Sequence, residues 1–219
     1  MPIDREKDAL LAVDVQHDFL PGGALAVADG DAIVAPIAEL APRFTTVVAT
    51  QDWHPPGHVS FASTHPGRKP FETAQLPQGA QELWPDHCVA GSRGAALHPG
   101  LPDTALTLVL RKGTRRDVDS YSAFRENVGP DGLRPTTGLG AWLRARGVRR
   151  VFVAGLARDF CVRWSAEDAA ADGFETVVLD DLTRAVFPDR RAETDTLLRR
   201  AGVRLASSED VGRLLRPSP

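Results

Sequence analysis

Three residues with the chemistry of a nucleophile, a base and a cation stand at the ends of predicted strands. Cys161 opens a predicted helix just after an apolar run, Lys112 ends an earlier run, and Asp14 closes the first one. A thiol near a helix N-terminus gains from the dipole and the free N–H groups, which favour its thiolate. A neighbouring lysine lowers the thiol pKa and an aspartate accepts its proton, so the three together read as an activated nucleophile. Taken singly, each has a plain structural reading: a small buried hydrophobe for Cys161, a turn residue for Asp14 and a solvated strand end for Lys112. A second set lies in DWHPPGH, Asp52 to His58, with His87 further along. Asp52 and His54, two apart on an extended segment, point to one side and can share a metal. Adding His87 leaves coordination positions open, as in catalytic metal sites. Packing of a long loop by these histidines and Trp53 is the competing reading. Cys88, beside His87, points the opposite way in an extended chain and is read as structural.

The elements that must position these residues alternate. Strands are predicted over Ala9 to Val15, Thr46 to Thr50, Ala105 to Arg111, Arg150 to Ala154, Thr176 to Leu179 and Val203 to Ala206. The first and fourth are nearly continuous apolar runs, as in strands covered on both faces. Helices are predicted over Asp31 to Ala41, Leu139 to Arg146, Cys161 to Asp172, Ala192 to Ala201 and Ser208 to Leu215. Gly147, Gly173 and Gly202 each follow a helical stretch, where a left-handed stop belongs. The pattern is that of an α/β chain with a parallel sheet of about six strands and helices on both faces. Ligands of such sheets bind beyond the C-terminal strand ends, and Asp14, Asp52, Lys112 and Cys161 all fall there. One stretch, from about Gln51 to Thr104, lacks long periodicity and carries His54, His58, His65, His87 and His98, five of the six histidines. A loop of that length is expected to be functional. The C-terminal Arg-Pro-Ser-Pro reads as frayed.

Composition narrows the class. The chain has 219 residues, 42% hydrophobic and 25% charged, with a formal net charge of −3. It is long enough to bury a core without disulfide or metal staples, and no basic footprint recruits nucleic acid. No apolar run reaches the ~18 residues that span a bilayer, and the N-terminal MPIDREKDALLAVDVQHDF is no secretory signal. Two cysteines far apart in sequence suit a reduced, cytoplasmic setting.

LLAVDVQHDFLPGGALAV resembles the first strand and acid-bearing turn of the isochorismatase-like hydrolase family, in particular its nicotinamidases. ATQDWHPPGHVSFAS resembles the metal loop of that family, LWPDHCVAGSRGAALHP its last metal-histidine segment, RKGTRRDVDSYSAF its lysine segment and VAGLARDFCVRWSAEDAAADGF its nucleophile segment. The likeness runs in order from about Ala9 to Asp189. It implies the family's three-layer sandwich, with residues 1–219 as a single domain and 51–104 as a long metal-binding loop region. It implies Asp14, Lys112 and Cys161 as a catalytic triad. Asp52, His54 and His87 are implied as ligands of one divalent transition metal, zinc first, with iron or manganese also suited to the donors. Ser60 reaches that metal through water in this reading, with His58 in reserve. A cis peptide at Leu156 to Ala157 would aim the N–H of Ala157, with that of Cys161, at an oxyanion. Phe19, Trp84 and Tyr121, with Leu156, are implied to enclose the substrate. Arg158 stands where many relatives carry threonine, which puts the pocket edge and substrate breadth in question.

The implied activity is hydrolysis of nicotinamide to nicotinate and ammonia through a cysteine thioester, in NAD salvage. The alternative is a metal-free isochorismatase-like amidase acting on another small amide. The expected partner is the small-molecule substrate, with no nucleic acid and no membrane. A homo-oligomer is compatible with this class.

Overall fold

A computed structural model describes residues 3–212. Strands β1 (Asp8–Val13), β2 (Thr46–Asp52) and β6 (Arg150–Leu156) are buried along their whole length. β5 (Leu108–Lys112), β7 (Glu175–Arg184) and β8 (Arg204–Ala206) complete a six-stranded sheet of order β5-β2-β1-β6-β7-β8. Every neighbouring pair in it is parallel.

The period-two alternation of side chains divides the core in two. Leu10, Ala12, Ala49, Phe152 and Leu179 face a layer that contains α1 (Val34–Leu40) and α5 (Ser208–Gly212), through Ile37 and Val211. Ala9, Leu11, Val13, Val151 and Val178 face the opposite layer. That layer holds α2 (Leu139–Ala145), α3 (Arg163–Ala171) and α4 (Arg191–Arg200), through Leu143, Ala166 and Leu198. The result is the expected sandwich of helices, sheet and helices.

From β1 the chain builds outward to β2 and β5 on one side, and β6, β7 and β8 fill the other. The order therefore reverses between β1 and β6, where open parallel sheets form their ligand crevice.

Differences from the sequence reading are local. β7 continues to Arg184 through the polar DDLTR, because β6 keeps pairing with it past an irregularity in register. The 51–104 region contains an antiparallel hairpin, β3 (Thr73–Leu76) and β4 (Gly79–Glu82). The helix expected from Cys161 is in two parts, a π-type turn at Arg158–Val162 followed by α3. The end of the helix expected to run to Leu215, and the Arg-Pro-Ser-Pro tail, lie outside the described residues.

Candidate active site

Four strand ends deliver four side chains to one point. β1 stops at Val13, and Asp14 turns the chain in a left-handed conformation, φ 48°. Its backbone N–H donates to Thr50 Oγ1 at 3.0 Å, and the Thr50 hydroxyl donates to Asp14 Oδ1 at 2.6 Å. Asp14 Oδ2 faces Lys112 Nζ at 2.8 Å. That ammonium, at the end of β5, also reaches Asp52 Oδ1 at 2.5 Å, the Ser120 carbonyl at 3.1 Å and Cys161 Sγ at 3.3 Å. Asp52 is itself fixed by Gln16, whose side chain accepts from Asp52 N–H at 2.8 Å and donates to its carbonyl at 2.9 Å. Cys161 sits in the π-type turn, in which Val162 N–H donates to the Ala157 carbonyl at 3.1 Å. The Leu156–Ala157 peptide bond is cis.

One buried cation is shared by two buried carboxylates, and that count decides the protonation states. Burial works against a charged Lys112, but Asp14 and Asp52, with Cys161, hold its pKa well above the usual lysine value. Burial pushes Asp52 up, yet Lys112 and His54 together hold it well below the ordinary range. Asp14 is raised: burial dominates, and the Asp52 charge offsets part of what Lys112 contributes. For Cys161, burial and the two aspartates outweigh Lys112, and the thiol pKa lies well above its usual value. The helix dipole and Lys112 were expected to favour the thiolate; burial, the largest influence, works against it, with the two aspartates acting in the same direction. Asp14, raised by burial, stands beside the thiol as its proton acceptor.

Beside this cluster, Asp52, His54 and His87 bring one ligand atom each to within 4.8 Å of one another. Asp52 Oδ2 lies 3.6 Å from His54 Nε2 and 3.8 Å from His87 Nε2. The other ring nitrogens are used: His54 Nδ1 meets the Gly113 carbonyl at 3.0 Å and His87 Nδ1 the Pro85 carbonyl at 2.8 Å. With Nδ1 engaged by a carbonyl, Nε2 of each ring is the atom that would meet a metal beside Asp52 Oδ2. His54 Nε2 is fully buried without a hydrogen-bond partner. An orphaned nitrogen costs free energy unless something fills the gap, and a divalent cation fits this donor set. Gly113 permits the arrangement, since its φ is +64° and a Cβ there would come within 2.4 Å of the His54 ring. His58 is occupied differently: it stacks on His54, with Nδ1 2.7 Å from Ser60 Oγ and Nε2 3.1 Å from the Val118 carbonyl.

The two clusters open on one cleft of about 330 Å³, lined by Phe19, Leu25, Asp52, His54, Trp84, His87, Asp119, Tyr121, Ala157, Phe160, Cys161 and Val186. Trp84 Nε1 donates to Tyr121 Oη at 3.3 Å, and the Phe160 ring meets Trp84 edge-on at 4.8 Å. Phe19, Trp84, Tyr121 and Ala157 thus stand in the lining. Leu156 does not: it is fully buried behind the lining. Sequence reasoning missed Leu25, Asp119, Phe160 and Val186. Phe160 was within reach of it, being adjacent to Cys161 in the turn.

Arg158 also departs from the sequence reading, since its side chain points away from the cleft. It is 1% exposed and donates to Thr183 Oγ1 at 2.7 Å, Asp180 Oδ1 at 2.7 Å and Asp195 Oδ1 at 2.6 Å. Removing one partner of a buried ion pair strands the others, so Arg158→Leu is expected to lose about 3 kcal/mol of stability. Urea unfolding checks this. The KM of the folded variant is expected to stay within about twofold of wild type, because Arg158 touches no lining atom.

The sheet, its switch-point crevice and the cysteine cluster define an α/β thiol hydrolase, and the chain belongs to the isochorismatase family, whose Isochorismatase domain matches residues 8–210. It is 49% identical over 178 residues to a nicotinamidase of Acinetobacter baylyi, covering 81% of each chain. Its structure is similar to a nicotinamidase/pyrazinamidase of Acinetobacter baumannii, with a TM-score of 0.89 and 44% identity over 95% of this chain and 99% of that one. It is also similar to the pyrazinamidase of Pyrococcus horikoshii in complex with zinc, with a TM-score of 0.74 and 33% identity over 92% and 99%.

Proposed function

We infer that this chain acts as a nicotinamidase, hydrolysing nicotinamide to nicotinate and ammonia. The observation that carries the reading is the meeting of Cys161, Asp14 and Lys112 at one wall of an aromatic-lined cleft, with Lys112 Nζ 3.3 Å from the sulfur and 2.8 Å from the carboxylate. Identity of 49% to a nicotinamidase supports it.

In the first half-reaction Cys161 Sγ attacks the carboxamide carbon as its proton passes to Asp14, and the carbonyl π pair moves onto oxygen. The N–H groups of Ala157 and Cys161 are assigned to that oxyanion, where one donor is worth about 3 kcal/mol. Asp14 then delivers the proton to nitrogen, the C–N bond breaks, and ammonia leaves a thioester on Cys161. In the second half, Asp14 takes a proton from water as its oxygen adds to the thioester. The C–S bond breaks, sulfur recovers the proton and nicotinate departs. Lys112 remains charged throughout and holds Asp14 in line.

Asp52, His54 and His87 are the residues that would hold a divalent ion, zinc first, with iron or manganese also suited. When bound, such an ion offers a Lewis-acidic position to the pyridine nitrogen and so orients the ring. Phe19, Trp84 and Tyr121 enclose that ring. The cluster favours this reading over a metal-free amidase. Two buried, free cysteines suit a cytoplasmic enzyme of NAD salvage. Among the described residues, no helix is long and apolar enough to cross a membrane.

The test is ammonia release from nicotinamide by purified protein, before and after chelation. Turnover that falls roughly tenfold or more on chelation and returns with zinc is expected. No turnover by folded, metal-loaded protein overturns the reading. Unchanged turnover after chelation overturns the metal assignment and favours the metal-free alternative.

The pH profile carries a second expectation. Asp14 must be ionised to take the thiol proton, and its pKa is raised by burial. As pH falls through that raised value the base is lost. The acid limb of kcat/KM is therefore expected above the ordinary aspartate value of about 3.9. A profile flat down to that value would contradict Asp14 as the base.

A further inference from the structure

Two residues before Cys161, the turn carries a second buried acid that the chemistry above does not use. Asp159 is 6% exposed. Its two oxygens each accept one backbone N–H from a distant segment: Oδ1 from Val186 at 3.0 Å and Oδ2 from Phe187 at 2.8 Å. It makes no ion pair among the described residues. Taking a carboxyl group out of water is costly unless its hydrogen bonds are made, and these two N–H groups make them.

The segment it holds has no regular structure of its own. β7 ends at Arg184, and the next helical turn begins at Pro188. Val186 lines the cleft. The Phe187 ring meets Phe160 at 6.1 Å and Phe71 at 6.0 Å, and Phe71 in turn meets Trp84 at 6.0 Å. This wall of the cleft is thus fastened by ring packing, by Arg190, whose N–H donates to the Phe187 carbonyl at 3.0 Å and whose guanidinium lies 4.2 Å from the Phe187 ring, and by the Asp159 carboxylate, which ties it to the turn of Cys161.

We propose that Asp159 is a positioning residue for substrate binding: its carboxylate clamps the Val186–Phe187 wall onto the turn that bears Cys161, and so sets the width of the slot for a flat ring. The clamp deepens the nicotinamidase reading and rests on it. Because both oxygens are used, asparagine cannot replace the acid: its amide NH2 would face one of the two N–H groups.

The experiment measures kcat and KM of Asp159→Asn and Phe187→Ala on nicotinamide and on 5-methylnicotinamide, with wild type alongside. Asp159→Asn is expected to raise KM for nicotinamide about tenfold, the size of one lost charge-assisted hydrogen bond, while kcat changes less than about threefold. Discrimination against the methylated ring is expected to fall. Phe187→Ala, which leaves Asp159 in place and removes the ring that seats the wall, is expected to move KM and discrimination in the same direction. An unmoved KM in folded Asp159→Asn overturns the proposal, as does a loss of kcat alone, which would mean that the acid aligns the nucleophile. If Asp159→Asn does not fold, Phe187→Ala decides, and an unmoved KM there overturns the clamp. No turnover by wild type overturns both readings, whereas wild-type turnover with unmoved KM values overturns the clamp only.

Discussion

Cys161→Ala is expected to lower ammonia release from nicotinamide by roughly 10⁵-fold while leaving the fold intact, the scale on which removing a nucleophile acts. The sulfur is the nucleophilic atom of the cleft and lies against the Lys112 ammonium at 3.3 Å. The remaining aspartate and ammonium keep their mutual contact at 2.8 Å, so the local charges stay balanced without the thiol. Only one buried sulfur is lost, a change that costs about 1 kcal/mol. Near-ultraviolet circular dichroism and the thermal midpoint report on the fold, and an ammonia assay at high enzyme concentration on the chemistry. A folded alanine variant that keeps more than about one part in a hundred of the rate would rule out a cysteine thioester. Nicotinamide is still expected to bind to this variant, since the Asp52, His54 and His87 cluster and the aromatic lining are untouched.

Lys112→Met is expected to damage stability and activity together. It removes the cation between Asp14 and Asp52, whose side chains are 0% and 5% exposed. Breaking a buried pair from one side costs about 3–5 kcal/mol, which for a chain of this size lowers the thermal midpoint by about 10 °C. The deficit is expected to depend on pH. Without the ammonium Asp14 is left buried with no cation beside it, and its folded-state pKa, already raised by burial, rises further above the unfolded one. Such a group favours the fold below the unfolded pKa and ceases to do so as pH rises through the folded one. In wild type Lys112 helps hold Asp52 well below the ordinary range, so wild type gives up stability as pH falls through that depressed value. Between pH 8 and pH 5, a span above that depressed value, the first effect alone narrows the gap between the two proteins toward acid pH. Urea unfolding of the two proteins in chelator, at about pH 8 and about pH 5, measures it. A gap that widens toward pH 5 would contradict the assigned charges.

Much of this site was legible because strand ends are legible. The continuous apolar run before Asp14 and the one before Leu156 could only be central strands, and residues at the C-terminal ends of parallel strands share one rim. Asp14, Asp52, Lys112 and Cys161 meet for that reason. Resemblance, rather than periodicity, added Ala157, whereas Asp52, His54 and His87 stood together on residue type and spacing alone. What stayed hidden was tertiary. The β3–β4 hairpin is built from TAQL and GAQE, four residues each and without a strong apolar alternation. Val186 and Asp119 reach the cleft from segments with no pattern of their own. The thiol pKa is raised chiefly by burial, against Lys112 and with the two aspartates, and no spacing rule encodes that balance. Arg158 was read at the pocket edge, but the backbone of the π-type turn aims it toward Asp180 and Asp195 instead.

The long excursion between β2 and β5 joins two strands that lie side by side in the sheet. It supplies His54, Trp84 and His87, while the nucleophile, its base and its ammonium all come from the sheet margin. The metal-ligand side of the cleft, with Trp84, therefore sits on a different stretch of polypeptide from the nucleophile, while Phe19, Tyr121 and Val186 close the cleft from segments after β1, β5 and β7. Exchanging the excursion between Asp52 and Lys112 would remake one side of the ring site and leave Asp14, Lys112, Cys161 and those three walls in place.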